Sequence, residues 1–539
     1  MKKLYLFVSI LIACSGCDSV LNKIPQTDIS SENFWKTEDD FRLAANALYN
    51  SIDNNHGETI DLQADDYYGR SVNSISAGTY VPPNTDAVWT NAYTTIRKAN
   101  DLIANSYVSD VDPSVTARFQ AEARFFRAYQ YAELVKRFGN VPLVLKTLDI
   151  SSPELYEDRT ARNIVVDSII ADLKFAAENL PKKNELPATE EGRITRGTAL
   201  GLLSRVTLYE GTRRKFHADG SYEDLLKISK EAAYTVIQEK EFSLFPNLLE
   251  LFMEKNEGNE ETMLRKFYQE TVTGVAPRTR GIILDAIYAP TKNLADAFLC
   301  KDGLPIEYSP LFKGYGEINT EFIDRDPRMS CTIWEPLTPF ENNAPLIPEL
   351  LRARTGYWPK KPGDITALTV TFVYTDYILM RYAEVLLNYA EATFELTESI
   401  SDQDLDISIN QLRQRVGMPF LSNAFINEAK AKGYNMNMRD EIRRERRVEL
   451  AGEGYRYDDI IRWKIAESVL SKEIKGAKFQ QDQYPEVVPG KDVNLDQEGF
   501  LIVETSKSRT FEDPKNYLFP IPLRELSLNT NMKQNTGWD

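Results

Sequence analysis

A-E-A-R-F-F-R-A-Y-Q-Y-A-E-L-V-K-R-F-G-N-V-P-L-V, residues 121–144, is the stretch that decides the fold. Ala121, Phe125, Ala128 and Tyr129 recur at the three-to-four-residue spacing of one helix face. The pattern predicts a helix over about 114–138, stopped by Gly139 and Asn140 ahead of Val141-Pro142. The same spacing resembles that of tetratricopeptide helices, which stack in pairs, although the formal repeat pattern is absent.

Reading outward, the same signal recurs on both sides. Upstream, Thr37 and Asp40 form a capping box before Phe41, Ala45, Leu48, Tyr49 and Ile52. Trp89, Tyr93, Ile96 and Ala99 share a further helix face. Downstream, helices are predicted at about 160–180, 195–212 and 222–240. From about 245 to 370 the chain is rich in Gly, Pro, Thr and aromatic residues and reads as loops with short strands. Helices return at about 375–396, where Ile378, Tyr382, Val385, Leu386 and Tyr389 are apolar, and at 437–451 and 459–470. The expected fold is mainly α, with tetratricopeptide-like helix pairs as scaffold and a loop-rich ligand-binding part. The expected divisions are 1–16, 17–36, 37–245, 246–370 and 371–539, forming one integrated domain.

The N-terminus reads as an export signal. Lys2 and Lys3 precede the apolar run Leu4–Ala13, which is too short to span a bilayer needing about 20 residues. Small residues stand before both Cys14 and Cys17, the pattern of a lipoprotein signal. The polar residues that begin at Asp18 favour Cys17 as the lipid-attachment site, with 1–16 removed and 17–36 left as a tether. Several acyl chains on one cysteine would hold the protein stably on a membrane. The formal charge of −16 over 539 residues repels phosphate backbones, so no nucleic acid is expected as a partner. Cys300 and Cys331 alone lie in the body of the chain, which excludes a disulfide framework and suits two buried thiols.

Catalytic signals are sparse. There are two histidines, His56 and His217, and neither an H-E-x-x-H nor a G-x-S-x-G occurs. Asp65-Asp66 and Asp458-Asp459 are adjacent carboxylates of the kind that cleave glycosidic bonds. With 80 acidic residues such adjacency is common. Asp492-x-Asn494-x-Asp496 opens like a calcium loop, but Gln497 and Val503 replace the required glycine and bidentate carboxylate, which leaves a turn into the strand 500–503. The charged segment 439–464 is expected to pair with itself, Glu441 with Arg444 and Arg446 with Glu449. No metal or cofactor is implied.

Aromatic residues carry the stronger binding signal. A sugar ring stacks its apolar face on a flat side chain while polar neighbours bond its hydroxyls. The loop 54–88 holds Asp65, Tyr67, Tyr68, Arg70, Asn73 and Tyr80, and Trp89 follows on a helix. The middle region holds Tyr288, Trp334, Tyr357 and Trp358. Asp65, Tyr67, Tyr68, Arg70, Asn73, Trp89, Tyr288 and Trp334 are therefore the candidate ligand contacts, core packing being the competing role for every ring.

Several segments together resemble the SusD/RagB family of outer-membrane lipoproteins of Bacteroidetes. They are C-D-S-V-L-N-K-I-P (17–25), F-W-K-T-E-D-D-F (34–41), A-L-Y-N-S-I (47–52), the opening stretch 121–144, K-D-G-L-P-I (301–306), R-D-P-R-M (325–329), R-Y-A-E-V-L-L-N-Y-A-E-A (381–392), R-R-E-R-R-V-E-L-A-G-E-G-Y-R-Y-D-D-I-I-R-W (443–463), F-P-I-P (519–522) and Q-N-T-G-W (534–538). The order is the family's, and the likeness spans essentially the whole mature chain. The resemblance implies acylation at Cys17, an outer-membrane location facing the cell exterior and an oligosaccharide ligand. It also implies a SusC-like TonB-dependent transporter as partner. Within the family, ligand contacts lie in the regions that correspond here to Tyr67–Trp89 and Tyr288–Trp334. The reading is capture without catalysis. The alternatives are a lid of the same fold for peptide uptake and a glycan hydrolase.

Overall fold

The computed structural model describes residues 34–52, 60–268, 283–361, 363–365, 368 and 374–538. Cys14, Cys17 and His56 lie outside them. Sixteen α-helices and nine short strands occur among the described residues. In chain order the first half contains α1 (Glu38–Tyr49), β1 (Tyr67–Tyr68), α2 (Ala87–Ser106), α3 (Pro113–Phe138), α4 (Arg162–Asn179), α5 (Arg196–His217) and α6 (Glu223–Glu239). The middle contains β2 (Thr262–Lys266), β3 (Ala289–Pro290), α7 (Lys292–Ala297), α8 (Pro327–Thr332), β4 (Ile333–Trp334), β5 (Trp358–Pro359) and β6 (Tyr377–Arg381). Then follow α9 (Tyr382–Thr397), α10 (Asp402–Asp406), α11 (Ile409–Val416), α12 (Asn423–Ala431), α13 (Met438–Glu449), α14 (Arg456–Arg462) and α15 (Ala466–Leu470). The chain ends with β7 (Ile474–Lys478), β8 (Asn494–Leu495), β9 (Phe500–Glu504) and α16 (Leu523–Leu528).

Helices α2 to α6 pack in sequence, each on the next, and α9 continues the row against α6. The short links 107–112 and 218–222 make α2 with α3 and α5 with α6 antiparallel pairs, as in paired-helix arrays, while the links 139–161 and 180–195 are longer. Helix α3 lies at the centre, flanked by α1, α2 and α4, and is buried on nearly every side. Its charges are not free. Glu122 accepts bonds from Tyr49 on α1 (2.9 Å) and from Arg193 before α5 (3.0 Å). Arg127 grips Asp172 on α4 (2.7 and 2.8 Å) and the side-chain amide oxygen of Asn100 on α2 (2.7 Å). A polar group buried without a partner is costly, so these pairs fix which helix sits where.

The strands form three two-stranded pairs and one three-stranded sheet: β1 with β3, β2 with β6, β4 with β5, and the order β7-β9-β8. Strands β2 to β5 lie in the loop-rich middle, β1 and β6 pair with it from either side in sequence, and β7 to β9 lie in the C-terminal part.

Boundaries differ from expectation in two places. Ile378 lies on β6, opposite Arg265 of β2, and not on a helix; the helix begins only at Tyr382. The predicted helix 459–470 is broken at Lys464, whose φ of 55° is left-handed, and α14 and α15 lie on either side. Cys300 and Cys331 are free thiols, Cys300 buried and Cys331 partly so.

The charged segment also pairs differently. Glu441 does meet Arg444, at 3.3 Å. Arg446, however, turns to Asp459 (3.0 Å). Glu449 instead meets Arg381 (2.7 Å), Arg415 (2.5 Å) and Arg328 (3.3 Å). Glu445 meets Arg328 (2.5 Å) and Arg413 (2.9 Å). Glu261 binds Arg381 and Arg415, Glu453 binds Arg381 and Lys361, and Asp326 binds Arg328. All these side chains are at most 4% exposed. Five cations thus face five anions inside the protein. Burial opposes ionisation of Glu449, but Arg415, Arg381 and Arg328 outweigh it and hold its carboxyl well below the usual range.

Removing one partner strands the others. Glu449→Gln should lower unfolding free energy by about 3–5 kcal/mol in denaturant titrations. Arg42→Ala, which breaks the exposed Arg42–Glu38 pair, should change it by less than about 1 kcal/mol.

Candidate functional site

The two regions expected to carry ligand contacts meet in space. Tyr67 pairs with Pro290 and Tyr68 with Ala289 across β1 and β3. The junction is pinned next to the strand. Thr291 donates its hydroxyl to the Asp65 carbonyl (2.6 Å) and its N–H to the Asp66 carbonyl (2.9 Å). Asp65 is held by Arg456 (2.8 Å) and Arg447 (3.1 Å), and also accepts from Asn293. Burial raises the Asp65 carboxyl, but the guanidiniums of Arg456 and Arg447 overcome this and keep it below the usual carboxylate range. Asp66 also pairs with Arg447.

The expected rings are not exposed faces. Tyr67 is 1% exposed and Tyr288 7%, and both belong to one core cluster with Phe298, Phe322 and Tyr357. Trp334, at 6%, pairs with Trp358 across β4 and β5, meets Phe340 edge-on at 4.9 Å and has the Lys360 amine 5.0 Å from its ring. Trp89 lies elsewhere, in the helical core between Tyr93 and Phe138, both at 5.2 Å. The physical reason is common to all four. Each large ring sits where two elements close on each other, and burying it stabilises the contact by about 1.5–3 kcal/mol.

Tyr68 points to the other side of β1. It is 4% exposed, and its hydroxyl lies beside Arg354. Burial and then Glu504 push that hydroxyl up, while Arg354 draws it down. Asn73 shapes the loop: its side-chain oxygen accepts from the N–H groups of Ile75 (2.9 Å) and Ser76 (3.1 Å). The loop then docks on the C-terminal segment, where Thr510 donates to the Ala77 carbonyl (2.7 Å). Gly78, at φ 72°, permits that approach, since a Cβ there would lie 2.5 Å from the Thr510 backbone.

What the junction presents to solvent is largely polar, with two apolar side chains among it. Arg70, Asp285, Arg352 and Arg354 are exposed, together with Val72 and Leu351. Arg70 bonds the Asp285 carbonyl (2.7 Å), Arg354 the Arg70 carbonyl (3.3 Å) and Arg352 the Leu284 carbonyl (3.4 Å). These bonds knit the 65–80, 283–290 and 349–358 segments into one face. Arg70 was legible as a candidate. Asp285, Arg352 and Arg354 carried no signal, because only the fold sets them beside Arg70.

The adjacent carboxylates are committed to ion pairs. Asp65 and Asp66 serve Arg447 and Arg456, Asp458 serves Lys136 (2.7 Å), and Asp459 serves Arg446 and Arg462. Asp66 also lies near the buried Asp61, whose carboxyl is pushed well above the usual range by burial and then by the Asp66 charge. His217 bonds the Ile461 carbonyl at 2.8 Å, a structural contact. Asp496 accepts from the N–H groups of Glu498 and Phe500 and pairs with Lys475, which makes 492–496 a turn.

One buried acid under this face titrates unusually. Burial and then the negative charge of Asp296 push Glu321 up to about 7, while the Tyr357 hydroxyl donates to it at 3.0 Å.

Comparison with known proteins places this geometry. The SusD family model matches residues 255–538. A second, SusD-like model, described as starch-binding and associating with the outer membrane, matches residues 25–208. SusD-like protein P2 of Formosa agariphila is 27% identical, over 99% of this chain and 99% of its own. A SusD-like carbohydrate-binding protein of Bacteroides fragilis is 26% identical with a TM-score of 0.78, over 93% of this chain and all of its own. A laminarin-binding SusD-like protein shares the fold at 22% identity and a TM-score of 0.62, over 93% of this chain and all of its own.

Glu321 gives this region a pH signature. Its folded pKa exceeds the unfolded value of about 4.3, so the folded state holds the extra proton. The stabilisation is complete below the unfolded pKa and is lost as pH rises through 7. Comparing urea unfolding at pH 5 and pH 8, Glu321→Gln should remove about 2 kcal/mol of the wild-type decline.

Proposed function

Because this chain belongs to the SusD family, we propose that it binds an oligosaccharide at the face formed by Arg70, Asp285, Arg352 and Arg354 and hands it to a SusC-like TonB-dependent transporter. The observation that carries the reading is the β1–β3 pairing, which joins two distant loop regions into one exposed polar surface. Guanidinium N–H groups and the Asp285 carboxylate suit the hydroxyls of a sugar, each such bond contributing about 1.5–3 kcal/mol when charge-assisted. Tyr68, buried, packs under this face with its hydroxyl beside Arg354. Tyr67, Tyr288 and Trp334 act from behind as packing that holds the surface in shape, and Asp65 and Asn73 position it.

The carbohydrate-binding relative at 26% identity supports the ligand class, and the outer-membrane description of the matching SusD-like model supports the location. Binding is taken to occur without turnover. The chain is further proposed to be held at the outer membrane, facing outward, by acyl groups on Cys17.

Titration calorimetry of the purified protein against a glycan array tests the site, with peptides in parallel. Arg70→Ala and Arg354→Ala should each weaken glycan binding about tenfold, roughly 1.4 kcal/mol. Unchanged affinity in both variants, or binding to peptides alone, overturns the reading. For the anchor, Cys17→Ser should abolish incorporation of labelled palmitate and release the protein from the membrane fraction, whereas Cys14→Ser should retain both.

A further inference from the structure

A cavity of about 560 Å³ opens between α2, α3, α5 and α14, and none of the loop-face residues lines it. Its mouth is at the surface, where Asn50 and Asn91 are exposed and Gln63 partly so. Its interior holds Gln130, Tyr209 and Tyr457, which are 6%, 7% and 7% exposed. The side-chain polar groups of these three residues bond no other described residue and stay accessible from the cavity. Buried polar groups are nearly always bonded. Three such groups lining one cavity mark a place built for something with hydroxyls. The Nη2 of Arg162, also on this wall, is buried and unpartnered.

The interior charges of the cavity are neutralised, while Lys98, exposed at its mouth, has no ion pair among the described residues. Lys136 pairs with Asp458 (2.7 Å) and Glu133 (2.9 Å), Arg162 with Glu210 (2.8 Å) and Arg205 with Glu384 (2.6 Å). What remains for a ligand is a set of carboxamides and phenols, groups that both donate and accept. Burial pushes the Tyr209 hydroxyl up to about 12, so it stays a neutral donor and acceptor. This is the complement of a neutral polyhydroxylated molecule and a poor match for an ion. The volume falls within the range of small-ligand pockets, about 300–1,000 Å³.

We propose that this cavity is a second carbohydrate site, specific for a neutral mono- or disaccharide and independent of the loop face. It would let the protein hold a short sugar within the helical scaffold whatever the loop face binds.

The test uses the full-length protein with glucose, galactose, mannose, maltose and cellobiose as probes, followed by saturation-transfer NMR and calorimetry, and with galacturonate as the charged control. At least one neutral sugar should bind saturably at one site, and galacturonate at least tenfold more weakly. The double variant Gln130→Leu/Tyr457→Phe should lose at least tenfold in affinity. Should that variant fail to fold, Tyr209→Phe, which removes one hydroxyl atom, should lose at least threefold. Arg354→Ala should leave this binding unchanged. Absence of saturable binding by every probe, meaning a cavity filled by water only, overturns the proposal. So does binding that survives the cavity variants or disappears with Arg354→Ala.

Discussion

Buried charge that cancels is the constraint on which this structure depends. Five cations and five anions, drawn from α8, β6, α11, α13 and the segments around Glu261, Lys361 and Glu453, share one interior volume. Ions removed from water are stable only when each meets an opposite charge in good geometry. That requirement is directional in a way apolar packing is not. It sets the register of α13 against β6 and α8, and so ties the loop-rich middle of the chain to the helices behind it. A similar logic works at smaller scale in α3, where Glu122 and Arg127 each reach two neighbouring segments.

The helical frame was legible because helices announce themselves locally. The stripe through residues 121–138, the capping box at Thr37 and the stops at Gly139 and Pro181 are all visible within a few residues, and α1 to α6 follow them closely. The strand β6 escaped because five residues of mixed burial look like the start of the helix that follows. The partners of Arg446 and Glu449 escaped because a nearer, weaker pairing along one helix was available on paper. Distant carboxylates and guanidiniums took those side chains instead.

Site residues were legible by region and not by role. The two stretches around Tyr67 and Tyr288 do converge, through contacts between residues more than two hundred positions apart. An aromatic residue in a loop reads the same whether its face meets solvent or another ring, and here Tyr67, Tyr288 and Trp334 meet other rings. Exposure is a property of what closes over a residue, which spacing along the chain does not encode. Arg354 illustrates the reverse case: nothing marks it locally, yet it lies across the Arg70 backbone.

The pinning of β1 has a wider consequence. Thr291, Arg447 and Arg456 cement the root of the loop, while Arg70 and Arg354 add a separate, outer set of bonds to backbone carbonyls. Side chains of that outer set can therefore be exchanged without disturbing the root. Substitutions at these few outward positions would alter what the face presents while the same rigid mount is inherited unchanged.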